Sequence, residues 1–229
     1  GCKMKEKRNL EIQTTADGST TIYLPDMDEH YHSINGAIVE SLHIYIGNGL
    51  LAHKGKELSL LEIGFGTGLN AIQTLITCEN QKIKMHYTTY EKYPLDQEIT
   101  NQLNFELEEK YLNFYRQIHR AEWNRPIEIT PQFTIHKIEA DLTTEKISGN
   151  FDVVYFDAFA PDKQPDLWNE ALFKNIYDQM NMGGILVTYC AKGAVRRLLK
   201  SIGFTTYRLP GPPGKREILQ ARKEDKSEM

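Results

Sequence analysis

A chain of 229 residues that is 40% apolar and 25% charged has the composition of one sizeable globular domain, which excludes a fibrous or disordered protein. No apolar run nears the roughly 20 residues needed to span a bilayer and no charged-then-apolar leader opens the chain, so a cytoplasmic address is expected. The scattered cysteines Cys2, Cys78 and Cys190 imply neither a disulfide framework nor a zinc site, and a net charge of −4 argues against a protein that coats nucleic acid.

Residues 10–24 alternate on either side of Asp17-Gly18, a dipeptide suited to a tight turn, and predict an N-terminal β-hairpin. Over 34–46 apolar residues recur at helical spacing (Ile34, Ala37, Ile38, Leu42, Tyr45) until Gly47-Asn48-Gly49 ends the pattern. Short apolar strands at 58–63, 84–90, 133–138, 151–156 and 184–190 then alternate with helical stretches, the pattern of parallel βαβ units. The stretch 94–131 is too long for a simple crossover and shows helical periodicity (Leu103, Phe105, Leu107, Tyr111, Leu112, Phe114, Tyr115, Ile118), so a helical insertion is expected. A helix near 194–201 precedes strands at 204–209 and 216–221 joined by Pro210-Gly211-Pro212-Pro213-Gly214, an antiparallel pair. The expected fold is α/β and Rossmann-like, with a mostly parallel sheet; residues 1–50 pack as an N-terminal hairpin and helix on a main domain of 51–229.

The strongest local signal is Glu62-Ile63-Gly64-Phe65-Gly66-Thr67-Gly68-Leu69-Asn70, an apolar strand entering three glycines and then a helix. Glycines let a ligand approach the backbone with no Cβ in the way. The dinucleotide fingerprint is Gly-x-Gly-x-x-Gly, whereas here the third glycine comes one residue early. Glu62 also lies where it can meet the charged amino group of a methionine-like moiety, so S-adenosyl-L-methionine is favoured over NAD. Glu91 ends the next strand, 29 residues beyond Glu62, where a carboxylate can accept from both hydroxyls of a ribose. Asp141 follows the strand at 133–138 and is read either as the acceptor for an adenine amino group or as a helix cap.

The segment after 151–156 begins Asp157-Ala158-Phe159-Ala160-Pro161-Asp162-Lys163. Ligands of an open α/β sheet bind beyond the carboxyl ends of its strands, so Asp157 stands where a proton acceptor belongs. Phe159 and Lys163 together suit an aromatic base and a phosphate, with core packing the alternative for Phe159 and Trp168. Between Lys192 and Lys223 nine basic residues face one acidic residue, Glu217, which reads as a solvated face or as a seat for a polyanion. The seven histidines form no His-x-x-x-His pair, and neither a Gly-x-Ser-x-Gly elbow nor a Walker loop is present, so no metal is expected.

Taken together these pieces resemble the methyltransferase domain of the MnmC family, which acts on the wobble uridine of tRNA. The matching segments are Asn35-Gly36-Ala37, Gly47-Asn48-Gly49-Leu50, the run from Glu62 to Asn70, Glu91-Lys92-Tyr93-Pro94-Leu95 and the run from Phe156 to Trp168. They continue through Val187-Thr188-Tyr189-Cys190-Ala191-Lys192-Gly193-Ala194-Val195-Arg196-Arg197, Gly203-Phe204 and Gly214-Lys215-Arg216-Glu217. The resemblance implies transfer of a methyl group from S-adenosyl-L-methionine to the exocyclic amine of 5-aminomethyl-2-thiouridine, giving the 5-methylaminomethyl form. Glu62, Gly64, Gly66, Gly68 and Glu91 then fall on the cofactor site, together with Phe65, Thr67, Asn70 and Asp141, and Asp157 falls on the catalytic aspartate beside the cofactor. Phe159, Lys163, Lys192, Arg196, Arg197, Lys215 and Arg216 would hold the tRNA anticodon stem-loop. The family commonly reads Asp-Gly-Phe-Ala-Pro and Gly-Asp where this chain has Asp157-Ala158-Phe159-Ala160-Pro161 and Ala140-Asp141, changes that keep both carboxylates. Bifunctional members carry a flavin-dependent oxidase domain after this one, so the resemblance implies a stand-alone methyltransferase, with a separate enzyme supplying the aminomethyl precursor. The alternative is a methyltransferase of the same fold acting on another amine or nucleobase.

Overall fold

Residues 10–16, 20–27, 29–30, 36–103 and 107–228 are described by a computed structural model. The chain opens on a small antiparallel sheet of β1 (Glu11–Thr14), β2 (Thr20–Leu24) and β3 (Glu29–His30), in which Glu11 pairs with Tyr23 and Tyr23 with His30. The expected hairpin thus gains a third strand; its turn at Asp17-Gly18 lies outside the described residues, as do Ile34, Asn35 and Phe105. Helix α1 (Ala37–Ser41) widens at once into a π-helical turn over Leu42–Gly47, which buries Ile44, Tyr45 and Ile46. The Gly-Asn-Gly signal ends it as read: a Cβ on Gly49 would lie 2.5 Å from the carbonyl oxygen of Tyr45.

The main sheet follows as β4 (Glu57–Ile63), helix α2 (Leu69–Gln81), β5 (Lys84–Glu91), helices α3 (Gln97–Thr100) and α4 (Glu109–Arg120), then β6 (Pro126–Thr130), β7 (Phe133–Glu139) and β8 (Phe151–Phe156). Helix α5 (Glu170–Asp178), β9 (Met180–Thr188), helix α6 (Gly193–Ile202), β10 (Thr205–Pro210) and β11 (Glu217–Arg222) complete it. Its eight strands lie in the order β10-β11-β9-β8-β4-β5-β7-β6. The central five are parallel, while β6 and β11 run antiparallel to their neighbours. Alternate residues of each strand feed two cores. Leu60, Tyr87, Val153 and Tyr155 pack with Leu69, Ile72 and Ile118 on one face, and Leu61, Ile63, Val154 and Phe156 with Phe173, Ile176 and Leu199 on the other. Burial on both faces is why these strands read as near-continuous apolar runs.

The insertion is only partly helical. Its periodic residues Leu103, Tyr115 and Ile118 are buried, but 126–130 forms the edge strand β6, hairpinned to β7. Ile127 and Ile129 pack on the core while Glu128 is exposed, a period of two that five residues show too briefly to stand out from the helical pattern before them. Strand β9 likewise begins at Met180, four residues before the expected start, because exposed Asn181 and Met182 and a register shift interrupt its apolar pattern. Among the described residues no helix is long and apolar enough to cross a membrane.

From β4 the chain builds outward through β5 to β7, then returns to lay β8 against the other side of β4. That reversal opens a crevice beyond the carboxyl ends of β4 and β8, the place where open α/β sheets take ligands.

Candidate active site

The glycine turn leaves β4 with Gly64, Gly66 and Gly68 all at positive φ (93°, 54° and 78°) and starts α2 on Gly68. Gly64 is the most constrained: a Cβ there would lie 2.6 Å from the carbonyl oxygen of Asp157, on the neighbouring strand's exit. The turn is clamped from behind. Tyr115 Oη and His119 Nε2, both on α4, lie 2.6 and 2.8 Å from the carbonyl oxygen of Thr67. A carbonyl only accepts, so His119 carries its proton on Nε2. Burial pushes the His119 pKa down to about 4, with the nearby Lys137 charge adding to the effect, and the ring stays neutral at physiological pH. Lys137 is itself buried, donates to the His119 carbonyl at 3.1 Å and sits over the rings of Trp123 and Phe65 at 4.8 and 5.7 Å.

The side chains of Phe65 and Thr67 are buried behind the turn, where Phe65 packs against His119 and Trp123.

The cleft itself is walled by Gly64 and Gly66, by the exit of β5 from Tyr90 to Tyr93, by Ala140 to Thr143 after β7, and by Asp157 and the loop that follows it. Glu91 lines it, one oxygen accepting from the Gly66 amide at 3.0 Å and the other from the Tyr93 amide at 3.3 Å. The carboxylate therefore belongs to the turn as well as to the cleft. Asp141 lines the cleft and closes a turn by accepting from the Thr143 amide and hydroxyl; a turn and not a helix follows it, so it is not the helix cap that was one of its two readings. Those bonds, with Lys92 at 3.4 Å, hold its pKa below the usual carboxylate range.

Behind the cleft lies a buried polar chain. Asp157 accepts from Tyr45 Oη on Oδ1 and from Asn70 Nδ2 on Oδ2, each at 2.8 Å, and Asn70 in turn accepts from Ser41 Oγ at 2.7 Å. Glu62 is fully buried; its Oε1 accepts from Thr89 Oγ1 at 2.9 Å and its Oε2 has no hydrogen-bond partner. Burial, then the negative charge of Asp157, raise the Glu62 pKa well above its ordinary value. Asp157 is pushed up to about 8 by burial and by the charge of Glu40, against the opposing pull of Tyr45, Asn70 and Lys215. Tyr45, Ser41 and Glu40 carried no mark in the sequence beyond their place in a helix of ordinary periodicity.

The rim is mixed. Phe159 and Lys163 line the cleft, whereas Trp168 packs on Phe156 at 4.8 Å and donates to the Phe159 carbonyl, a structural post for that loop. Lys192 pairs with Asp162 at 3.8 Å, Lys215 lies over the Tyr189 ring at 4.7 Å, Arg197 and Arg216 are exposed, and Arg196 is half-buried with its Nε lacking a hydrogen bond. Part of the basic run is structural: Lys223 donates to the carbonyls of Tyr177 and Met180, and Arg208 pairs with Glu217 at 3.9 Å.

A glycine turn with no side chain to fill it, a buried carboxylate oxygen without a partner and an acid at the next strand end together fit a ligand with a cationic amino-acid moiety and a ribose. An open α/β sheet with that crevice is the architecture of the Rossmann-like methyltransferases. A family model described as "S-adenosyl-L-methionine-dependent methyltransferase" matches residues 97–224, more than half of the chain, and the chain belongs to that family, with S-adenosyl-L-methionine as its cofactor. It is 29% identical over 210 residues to the "tRNA 5-methylaminomethyl-2-thiouridine biosynthesis bifunctional protein MnmC" of Leptospira borgpetersenii serovar Hardjo-bovis, covering 85% of this chain and 32% of that protein. The protein of the same name from Pseudoalteromonas translucida is 30% identical over 223 residues, with 85% and 33% covered. The chain thus spans about a third of the length of these curated relatives. The crystal structure of MNMC2 from Aquifex aeolicus superposes with a TM-score of 0.79 at 26% identity, covering 96% of this chain and 72% of that one. Spermidine synthase from Thermotoga maritima, at a TM-score of 0.65 and 13% identity, shares the fold alone.

If the α4 clamp shapes the turn, Tyr115→Phe and His119→Phe should each weaken S-adenosylhomocysteine binding by about tenfold, the weight of one well-placed hydrogen bond. Calorimetric titration checks this; unchanged affinity in both variants would show that the turn holds its shape unaided.

Proposed function

We propose that the chain methylates the primary amine of 5-aminomethyluridine, thiolated or not, at the wobble position of tRNA. The observation that carries this reading is the Asp157 carboxyl, held by Tyr45 and Asn70 at the wall of a cleft that Lys92 and Lys163 also line. The names of the MnmC relatives point to the same acceptor. An alkylamine is mostly protonated at neutral pH and has no free lone pair, so the enzyme must deliver it neutral. Asp157, with its raised affinity for a proton, takes one from the bound ammonium; Tyr45 and Asn70 keep the carboxyl aimed while it does so. Glu62, Glu91 and the bare turn at Gly64, Gly66 and Gly68 would hold the cofactor, with Asn70 reaching from α2 and Asp141 closing the adenine end. The bound sulfonium supplies the methyl group. Phe159 and Lys163 would receive the base and an adjoining phosphate, with Lys192, Arg196, Arg197, Lys215 and Arg216 along the anticodon backbone, so binding should weaken steeply with salt. The acceptor reaches this cleft already carrying its aminomethyl group, made at another active site, and the reaction belongs to the cytoplasm, where tRNA is found.

The test is a nucleoside assay. With S-adenosyl-L-methionine and tRNA from a strain lacking the final methyl group, digestion should show the 5-methylaminomethyl nucleoside growing at the expense of the 5-aminomethyl form. A cofactor that turns over only on some other acceptor, with the aminomethyl nucleoside untouched, rejects the reading.

A further inference from the structure

Lys137 is a buried cation that no step of the methyl transfer uses. It lies behind the glycine turn, where its Nζ donates to the His119 carbonyl oxygen at 3.1 Å and sits 4.8 and 5.7 Å from the ring centroids of Trp123 and Phe65. That carbonyl belongs to the last turn of α4, whose C=O groups lack partners within the helix and carry partial negative charge. Phe65 stands between Gly64 and Gly66, and its ring packs on His119 at 5.6 Å and edge-on to Trp123 at 5.9 Å. A Cβ on Gly68 would lie 3.0 Å from the Phe65 ring and 3.1 Å from His119 Nε2, so both side chains back directly onto the turn. The Gly66 amide, next along from Phe65, donates to Glu91 at 3.0 Å. One ammonium thus touches both a residue within the turn and the helix that clamps its Thr67 carbonyl.

We propose that Lys137 is a positioning residue for the methyl donor: as an ammonium it draws Phe65 and the end of α4 together behind the glycine turn, and as a free amine it lets them part. This role rests on the reading that Gly64, Gly66, Gly68 and Glu91 hold the cofactor, whatever the acceptor. A neutral amine still donates to the carbonyl, but it loses the attraction to two rings and to the helix end. Burial brings the Lys137 pKa down to about 8, so the change of state falls within an accessible range. The titratable groups around it differ in kind. On α4, His119 is neutral at that pH, burial keeps the Tyr115 phenol protonated, and Arg116 and Arg120 are exposed. Glu122 and Arg125, on the connection to β6, are exposed and pair with each other at 3.1 Å. Across the sheet, Glu62 stands two strands away beyond Thr89 with its own pKa raised by burial, and Glu91 and Glu139 are half-buried at the ends of β5 and β7.

The experiment titrates S-adenosylhomocysteine into the wild type and Lys137→Met by calorimetry from about pH 6.5 to about 9.5. Near pH 7 the variant should bind about tenfold more weakly. The ratio of the two affinities, in which titration of the ligand and of Asp157 cancels, should fall toward one as pH rises through about 8. Thermal stability should move the other way. Between about 8 and 10.5 the unfolded chain holds a proton that the folded chain has lost, so the melting temperature of the wild type gains on that of the variant as pH rises through this window. A side chain that merely supports packing would move affinity and melting temperature together. Trp123→Leu takes one ring from the cation and leaves Lys137 in place; it should weaken binding about threefold below pH 8 and lose that effect above about 9. An affinity ratio that stays flat with pH, or an effect of Trp123→Leu that persists at the alkaline end, overturns the role of Lys137. Undiminished cofactor binding by Gly64→Ala sinks the turn reading beneath it, an outcome separate from either of those.

Discussion

Asp157→Asn should lower turnover with aminomethyl-tRNA by about a hundredfold or more while leaving S-adenosylhomocysteine affinity near that of the wild type, the loss expected when a positioned proton acceptor is removed. Asparagine keeps the shape and one acceptor for the hydroxyl of Tyr45, while its NH2 group stands where the Asn70 amide donor had an acceptor. A pH signature accompanies it. Asp157 titrates near 8 in the cofactor-free chain, hemmed by Glu40, Tyr45, Asn70, Lys215 and the buried Glu62. A cationic sulfonium favours the carboxylate, and the carboxylate form becomes more populated as pH rises. The affinity ratio of S-adenosyl-L-methionine to the neutral S-adenosylhomocysteine should therefore climb up to about pH 8 and then level, and in Asp157→Asn the limb near 8 should vanish. Stability runs the other way. The folded chain retains a proton that the unfolded chain releases between 3.8 and about 8, so this group's contribution is full below that window and is lost as pH rises through it. The melting temperature of Asp157→Asn should accordingly gain on the wild type from pH 5 to pH 8. Near-normal turnover of the variant, or a flat affinity ratio in the wild type, would remove Asp157 from the chemistry.

Gly64→Ala should abolish measurable cofactor binding and destabilise the fold. The added methyl meets the Asp157 carbonyl oxygen at 2.6 Å and its carbon at 3.1 Å, both backbone atoms, at a φ of +93°. Neither can swing aside, because the Asp157 amide donates to the Ile63 carbonyl at 3.0 Å and the Gly64 amide to that of Tyr90 at 3.1 Å, tying the exits of β8, β4 and β5 together. Strain at positive φ and a forced backbone shift together amount to about 2–4 kcal/mol, a fall in melting temperature of roughly 5–15 °C for a domain of this size. Gly183→Ala is the control. Gly183 has a similar φ of +85° but nothing within 4 Å of the added methyl, and it lies at the start of β9, remote from the crevice. It should cost about 1 kcal/mol and leave S-adenosylhomocysteine binding intact. Equal effects of the two substitutions on binding would mean that the crevice does not depend on the bare backbone at Gly64.

Much of the architecture was legible because it rests on local pattern. Strands buried on both faces appear as short apolar runs, and glycine followed by a helix marks the turn that leaves the first of them. The strand-exit rule then placed Glu91 and Asp157 beside that turn with no tertiary information, since a parallel sheet brings all its carboxyl ends to one rim. Strand β6 was not legible, since its two inward isoleucines followed a long helical pattern. Nor could local pattern divide the basic run: Lys223 and Arg208 have internal partners that come from elsewhere in the fold.

The sequence by itself determined the α/β class, the glycine turn after β4 and which acids stand at the sheet's rim, because each depends on neighbours within a few residues. Only the tertiary structure decided what those acids can do. Tyr45 lies 112 positions from Asp157 and Asn70 lies 87, Tyr115 lies 48 from Thr67, and the charge of Glu40 reaches Asp157 from a helix that precedes the main sheet. A carboxyl's affinity for its proton is set by burial and by the charges and donors that surround it in space, and no spacing along the chain records those.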